Sequence, residues 1–525
     1  MFPNLYEKVT VLACEGRSWS CSAHGFAPLV PAALAILSCA WLWRSTKFTK
    51  LNPPLPPGPP GLPILGNLPF IKPDLHHYFT ELSQIYGPIF KLQLGTKICV
   101  VINSPSLAKQ VLKDQDAIFA NRDLPAAAIV GTFGGLDIAW RPNGPDLNRL
   151  RKLVIREIMS KRSLDACYEL RRREIRQMVK DIHRKIGSPV NLGEQVAQTT
   201  VKVMISTLWG GSSERSSDLI ELRKRLDEFV RLFLAPNISD IFPVLAPFDL
   251  QGIVSKSKKH ISWFYGIFES VIMNRLKIGD DGKKIVDEIN KDFLQQMLEL
   301  NLRGDDKSFL SINELKAVLL DMMVGGTDTI PTTVEWAMTE LLRHPDIMRK
   351  LVEELDTVVE KQNMLEESHL PRLLYLDAVV KETLRLHPVI PLLLPHTPSQ
   401  TSFVAGYTIP KHSRIFINAW ALQRDPKLWN DPLRFQPERF LKGLGNQGNS
   451  FQYLPFGSGR RVCVGLALAE KMVSILLGAL LHSFEWEMPQ GTHPDIQEKF
   501  GVVLKKKESL VAIPFARLSN PEQYK

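Results

Sequence analysis

At 525 residues, with 44% hydrophobic and 23% charged positions, the chain is long enough for several packed layers and has neither the composition of a disordered segment nor that of a miniature domain. Lysine and arginine (65) exceed aspartate and glutamate (55) for a net charge of +10, which suits anionic lipid or an electronegative protein, while no basic stripe interleaved with aromatics marks a nucleic-acid binder. Six cysteines, at 14, 21, 39, 99, 167 and 463, form no C-x-x-C pair and no finger-like Cys/His spacing, which excludes a disulfide scaffold and argues against a structural zinc finger.

Residues 1–25 form an extension ahead of an uncharged apolar run at 26–43, FAPLVPAALAILSCAWLW, whose length is at the short end of a membrane-spanning helix. A cleaved secretory signal is the competing reading, but residues 1–25 lack a net basic start and the run exceeds the usual apolar region of a signal. The preceding flank nets zero charge, whereas Arg44, Lys47 and Lys50 follow the run, so the positive-inside rule leaves the C-terminal bulk in the cytosol. Residues 44–67 then read as a basic, proline-rich hinge, in which prolines at 53, 54, 56, 57, 59, 60 and 63 forbid a helix and stiffen an extended segment.

Residues 68–525 read as one catalytic body, mainly α with small β-sheets. Strand patterns occur at 89–94 and 98–102, helical spacing of apolar residues dominates at 201–208, 219–233 and 285–302, and strand patterns return at 401–409 and 500–513. Ser311-Ile-Asn-Glu314 has the form of a capping box, starting a long helix that reaches about Arg343. Gly325-Gly-Thr-Asp-Thr329 is expected to interrupt that helix, and Pro331 to distort it, because glycine costs roughly 1 kcal/mol relative to alanine and proline removes a backbone donor. The small residues let a bulky group approach the backbone beside an acid, Asp328, and an alcohol, Thr329; a kinked core helix with a capping hydroxyl is the plainer account. Glu382 and Arg385 share a helical face at i,i+3, a spacing that on most helices means a solvated ion pair.

Phe456-Gly-Ser-Gly459-Arg-Arg461-Val-Cys463-Val-Gly465 precedes an apolar helix, so its glycines permit a tight loop with Cys463 near a helix N-terminus. Helix-end potential with Arg460 and Arg461 is expected to lower the thiol pKa and favour a metal-ligating thiolate; an inert buried cysteine is the alternative. The run lacks the third glycine of a G-x-G-x-x-G phosphate loop.

Phe456, Gly459, Arg461, Cys463 and Gly465 stand at the spacing of the F-x-x-G-x-R-x-C-x-G loop, and the chain from Leu51 to about Ala516 resembles the cytochrome P450 family, of the microsomal plant type. The resemblance implies the P450 fold behind a single N-terminal transmembrane helix, and haem b with Cys463 as axial iron ligand. Arg461, Arg151 and His396 would meet the propionates, Phe456 would shield the sulfur, and Asp328 with Thr329 would relay protons to bound dioxygen. Glu382, Arg385 and Arg439 resemble the E-x-x-R network that supports the haem loop. Two departures stand out: Leu147 and Asn148 replace the W-R of the W-R-x-x-R motif, of which Arg151 remains, and Ile330 stands where the family usually carries another hydroxyl.

By family position, substrate contacts residues 126–133, Met323 and Gly326, 389–394 and 500–503, largely apolar stretches that favour a terpenoid, for instance a sesquiterpenoid, over a flavonoid. The implied activity is hydroxylation of an apolar small molecule of plant specialised metabolism, using O2 and electrons from NADPH through cytochrome P450 reductase at the endoplasmic-reticulum membrane. A haem-thiolate isomerase or dehydratase, and a degenerate non-catalytic haem-binding protein, are the alternatives.

Overall fold

Capping chemistry sets the longest helix of the computed structural model, Ile312–Arg343, here called the central helix. The Ser311 hydroxyl accepts from the Glu314 amide at 3.2 Å, and the Glu314 carboxylate accepts from the Ser311 amide at 3.1 Å. Pro345 opens the next helix, Pro345–Val358, and keeps His344 out of helical backbone. Described residues are 52–210, 216–233, 235–280, 292–302, 309–441 and 451–524, so the extension at 1–25, the anchor at 26–43 and the basic start of the hinge lie outside them.

The expected interruption at 325–329 does not occur: the central helix is continuous through both glycines and Pro331. Hydroxyls of Thr327, Thr329, Thr332 and Thr333 donate to carbonyls four residues back at 2.6 to 2.9 Å. Burial of Val334, Trp336, Ala337 and Met338 on the following turns outweighs a propensity cost of about 1 kcal/mol per glycine.

Two helices pack on this axis. Leu192–Trp209, which contains the 201–208 pattern, starts where the Asn191 side chain accepts from the Glu194 amide at 2.9 Å, and it ends at Gly210 with φ +70°. Leu466–Ser483 is apolar and long enough to cross a membrane, yet it lies in the protein core with Leu468, Met472, Leu476 and Leu480 buried. Helical spacing at 285–302 becomes the helix Phe293–Leu302, with 281–291 outside the described residues.

Among the described residues, ten short strands complete the fold: β1 (Ile89–Leu94), β2 (Lys97–Ile102), β3 (Val190–Asn191), β4 (Ser402–Val404), β5 (Tyr407–Ile409), β6 (Arg414–Ile417), β7 (Phe484–Glu487), β8 (Glu498–Lys499), β9 (Lys505–Lys506) and β10 (Val511–Ala516). β1 pairs antiparallel with β2, which pairs in parallel with β6; β10 sits between β3 and β7; β4–β5 and β8–β9 are separate hairpins. The 401–409 pattern is thus split by a turn at Ala405-Gly406, and much of 500–513 is the connection between β8 and β9 and the approach to β10. Residues 52–67 are free of helix, as their prolines require, and Asn67 ties them to the sheet: its Oδ1 accepts from the Gln93 amide at 2.8 Å while its Nδ2 donates to the Pro60 carbonyl at 3.1 Å.

Candidate active site

Glycine sets the cysteine loop. Gly457 and Gly459 hold φ of +69° and +68°, and a Cβ at Gly459 would fall 1.9 Å from the Leu112 carbonyl oxygen. The turn closes with the Cys463 amide donating to the Phe456 carbonyl at 3.0 Å and the Val462 amide to Gly459 at 3.1 Å. Gly465 is the N-cap of Leu466–Ser483, so Cys463 lies beside that helix N-terminus as expected. Its environment corrects one expectation: burial raises the thiol pKa above its ordinary value, opposed by the Gly465 amide and Arg151. Arg460 is drawn away to Asp116 at 3.1 Å, and Arg461 spends its donors on backbone carbonyls. The cysteine is nevertheless accessible to solvent rather than sealed in the core.

Three guanidinium groups gather around this loop. Arg461 donates to the carbonyls of Ala120 at 2.6 Å, Ile138 at 3.0 Å and Arg141; Arg151 donates to Val462 at 2.6 Å; Arg122 donates to Pro395 at 2.9 Å and to Leu394. Among the described residues none of the three forms an ion pair, and the Arg122 Nε is buried without any partner. Burial, then repulsion from Arg461 and Arg151, lowers Arg122 to about 9; burial and Arg151 lower Arg461 to about 10. The buried His396 ring, with Nδ1 at 2.9 Å from the Phe119 carbonyl, is held neutral by desolvation and by Arg122. Buried cations that repel one another and form no ion pair among the described residues suit a multiply charged anion, here next to an accessible thiol. The two propionates of haem b fit this cationic receptor. Arg122 was not singled out from the sequence, where the adjacent Asp123 suggests an ion pair; the fold instead gives Asp123 to Lys97 and Arg414.

The two glycines of the central helix have different surroundings. A Cβ at Gly325 would meet nothing within 4 Å, whereas at Gly326 it would lie 2.8 Å from both Sδ and Cε of Met204. The open side is therefore at Gly325, where the Thr329 hydroxyl donates to the Gly325 carbonyl at 2.6 Å. Asp328 forms an ion pair with Lys505 of β9, a partner the sequence did not suggest. Ile330 and Met323 are both buried in the main hydrophobic core.

Glu382 and Arg385, both 0% exposed, form a bidentate pair at 2.7 and 2.8 Å, so the solvated reading is set aside. Arg385 also donates to the carbonyls of Gln423 at 2.7 Å and Pro432 at 2.8 Å, and Arg439 Nε reaches Glu382 at 3.3 Å. This knot fixes the helix Leu374–Leu386 to the chain entering the cysteine loop. In Pro145–Leu153, Leu147 is buried and Asn148 exposed: the position of the family's Trp is filled by aliphatic packing, and Asn148 faces away from the receptor's interior.

A helical body with small sheets, an accessible cysteine in a glycine-shaped loop and an unpaired cationic receptor define a haem-thiolate protein. The cytochrome P450 family model matches residues 56–513, and the chain belongs to that family. It is 37% identical over 466 residues to a carnosic acid synthase of Rosmarinus officinalis, covering 86% of this chain and 91% of the relative. Similarity to an 11-hydroxysugiol 20-monooxygenase of Salvia miltiorrhiza is 35%, covering 93% and 99%, and to a flavonoid 3'-monooxygenase of Crocosmia x crocosmiiflora 36%, covering 89% and 94%. A zebrafish cytochrome P450 solved with progesterone superposes with TM-score 0.73 at 27% identity, covering 84% of this chain and 99% of that one. The protein is a P450 monooxygenase related to plant enzymes, it acts on a small molecule with O2, and its cofactor is haem with thiolate-bound iron.

Proposed function

We propose that the enzyme hydroxylates an apolar terpenoid of plant specialised metabolism, drawing electrons from NADPH through cytochrome P450 reductase. When bound, haem supplies O2 activation and transfer of one oxygen atom into a C–H bond, the other leaving as water. Cys463 holds the iron, Phe456 covers the sulfur, and Gly459 and Gly465 let the loop close around it. Arg122, Arg151, Arg461 and His396 hold the propionates, while Glu382, Arg385 and Arg439 keep the loop's support rigid. Asp328, tethered to the half-exposed Lys505, picks up protons from solvent, and the Thr329 hydroxyl passes them along the open face at Gly325.

The substrate class rests on one observation: the hydroxyls along the expected contact segments are already committed. Thr132 donates to Ala128 at 2.7 Å, Tyr265 to Gly131, and Thr329 to Gly325 at 2.6 Å. The same segments bury Ala127, Ala128, Met323, Val389 and Leu392, and Phe133 stacks on Tyr265 at 4.5 Å. With these donor protons spent on the backbone, a flavonoid's carbonyl and ether acceptors would find no donor among these hydroxyls, whereas a hydrocarbon skeleton asks for none. Relatives named for carnosic acid and 11-hydroxysugiol support the terpenoid side, and those named for flavonoids make the flavonoid the competitor.

The uncharged apolar run at 26–43 with its basic C-terminal flank supports an anchor that would hold the catalytic body on the cytosolic face of the endoplasmic reticulum, within reach of the reductase. Microsomes carrying the full chain and the reductase, supplied with matched panels of sesquiterpenoids, diterpenoids and flavonoids, test the reading. NADPH-dependent hydroxylation confined to terpenoids is expected; turnover confined to flavonoids, or turnover without NADPH as in an isomerase, overturns it.

A further inference from the structure

A second cluster of ligand-bearing side chains lies outside the cysteine loop and the open face at Gly325. His76 and His77 are consecutive residues of the helix Leu75–Tyr86, and both imidazoles point their Nε2 atoms at one oxygen of Glu498 in β8. His76 Nε2 lies 3.0 Å from Glu498 Oε2 and His77 Nε2 lies 3.3 Å from it, and one ligand atom from each residue falls within 4.8 Å of the others. A tetrahedral zinc ion with bonds of about 2.0 to 2.2 Å needs its ligand atoms about 3.3 to 3.5 Å apart. The cluster is therefore close to the spacing such an ion demands, and its composition of two imidazoles and one carboxylate is one zinc uses with a fourth position open.

The surroundings fix the ligands in place. Trp420 packs against both rings, with centroids 4.5 Å from His77 and 5.2 Å from His76, and Phe500 stacks on His76 at 5.2 Å. The other carboxylate oxygen, Oε1, is held by Arg424 at 3.5 Å and by the Trp420 indole at 3.4 Å, leaving Oε2 to the imidazoles. We propose that His76, His77 and Glu498 bind a divalent transition-metal ion of the imidazole-preferring kind, zinc being the best match. Ligation through Nε2 puts the ring proton on Nδ1, and the His76 Nδ1 is buried with no hydrogen-bond partner. Without an acceptor behind that ring the affinity falls short of a closed structural site, and a micromolar dissociation constant is expected. The ion would cross-link the helix Leu75–Tyr86 to β8, next to the 500–503 turn.

Zinc titration of the full-length, haem-loaded protein against a fluorescent zinc chelator tests this without reference to turnover. His77 has a side chain 49% exposed, so His77→Ala removes a ligand while leaving the buried His76 and the Arg424 contact in place. His412→Asn, at another exposed histidine whose φ of +64° asparagine tolerates, controls for generic surface histidines. The expected result is one zinc equivalent that weakens at least tenfold in His77→Ala and is unchanged in His412→Asn. Equal affinity in the wild type and His77→Ala, or no binding at 100-fold excess zinc over protein, overturns the proposal.

Discussion

Gly457 and Gly459 offer a comparison in which dihedral strain is held constant and steric clearance varies. Their φ values are +69° and +68°, so alanine at either position bears the left-handed penalty of roughly 1–2 kcal/mol. At Gly457 the new methyl's nearest neighbour is Leu393 Cδ1 at 3.9 Å, an ordinary contact. At Gly459 it would stand 1.9 Å from the Leu112 carbonyl oxygen and 3.1 Å from its carbon, and these are backbone atoms of the segment Gln110–Asp114 whose Val111 and Leu112 side chains are buried. Relief requires moving that segment or the loop, an overpacking cost of about 1–3 kcal/mol beyond the dihedral strain. Gly457→Ala should therefore lose about 1–2 kcal/mol, and Gly459→Ala about 2–5 kcal/mol. Denaturant unfolding followed by tryptophan fluorescence measures the stability difference, and haem per polypeptide measures the loop: Gly457→Ala keeps most of its haem and Gly459→Ala loses most of it. Equal losses in the two variants, or a milder effect at Gly459, would refute the argument that close approach to Leu112 shapes the loop.

Glu382→Gln leaves two buried guanidiniums, Arg385 and Arg439, without their carboxylate and should cost about 3–5 kcal/mol; a loss under about 1 kcal/mol in the same unfolding assay would contradict the knot described here. Thr329→Ala removes the hydroxyl on the open face and should lower product formed per NADPH consumed far more than it weakens substrate binding; unchanged coupling would remove Thr329 from the proton path. Buried Asp137 and half-buried Asp321 are neighbouring carboxyls whose pKa values are raised by desolvation, Asp321 further by the Asp137 charge. A raised folded pKa gives stability that is full below the unfolded carboxyl value and lost as pH climbs through the folded one. Asp137→Asn removes that loss, so its stability relative to wild type should be greater at pH 8 than at pH 4.5; a difference independent of pH would show that the pair is not strained by ionisation.

Local chemistry was legible and long-range partnership was not. The capping box at Ser311 and Glu314, the glycine loop before Cys463 and the proline segment could be read because each depends on residues within a few positions of one another. The i,i+3 spacing of Glu382 and Arg385 was readable too, but whether the pair met water or protein depended on Gln423, Pro432 and Arg439, some 40 to 60 positions away. Still longer separations, of more than 100 positions, hid the Asp328–Lys505 pair, the contact of Gly326 with Met204, and the convergence of His76 and His77 on Glu498. Two inferences failed because local rules were outweighed. Adjacency suggested that Arg460 and Arg461 serve the Cys463 thiol, while the fold sends them to Asp116 and to backbone carbonyls. Glycine and proline propensities suggested a broken helix, while burial and a ladder of threonine hydroxyls keep it whole.

In the proposed haem receptor, Cys463 and the cations Arg122, Arg151 and Arg461 suffice to hold the group even with Leu147 in place of the usual Trp. The reduced carbon-monoxide difference spectrum of the full chain in microsomes, with haem quantified per polypeptide and Cys463→Ala in parallel, tests it most directly. A thiolate-type Soret band at close to one haem per chain, lost in Cys463→Ala, is the predicted result. Little haem, only the inactive-type band, or a thiolate-type band that survives in Cys463→Ala would contradict it.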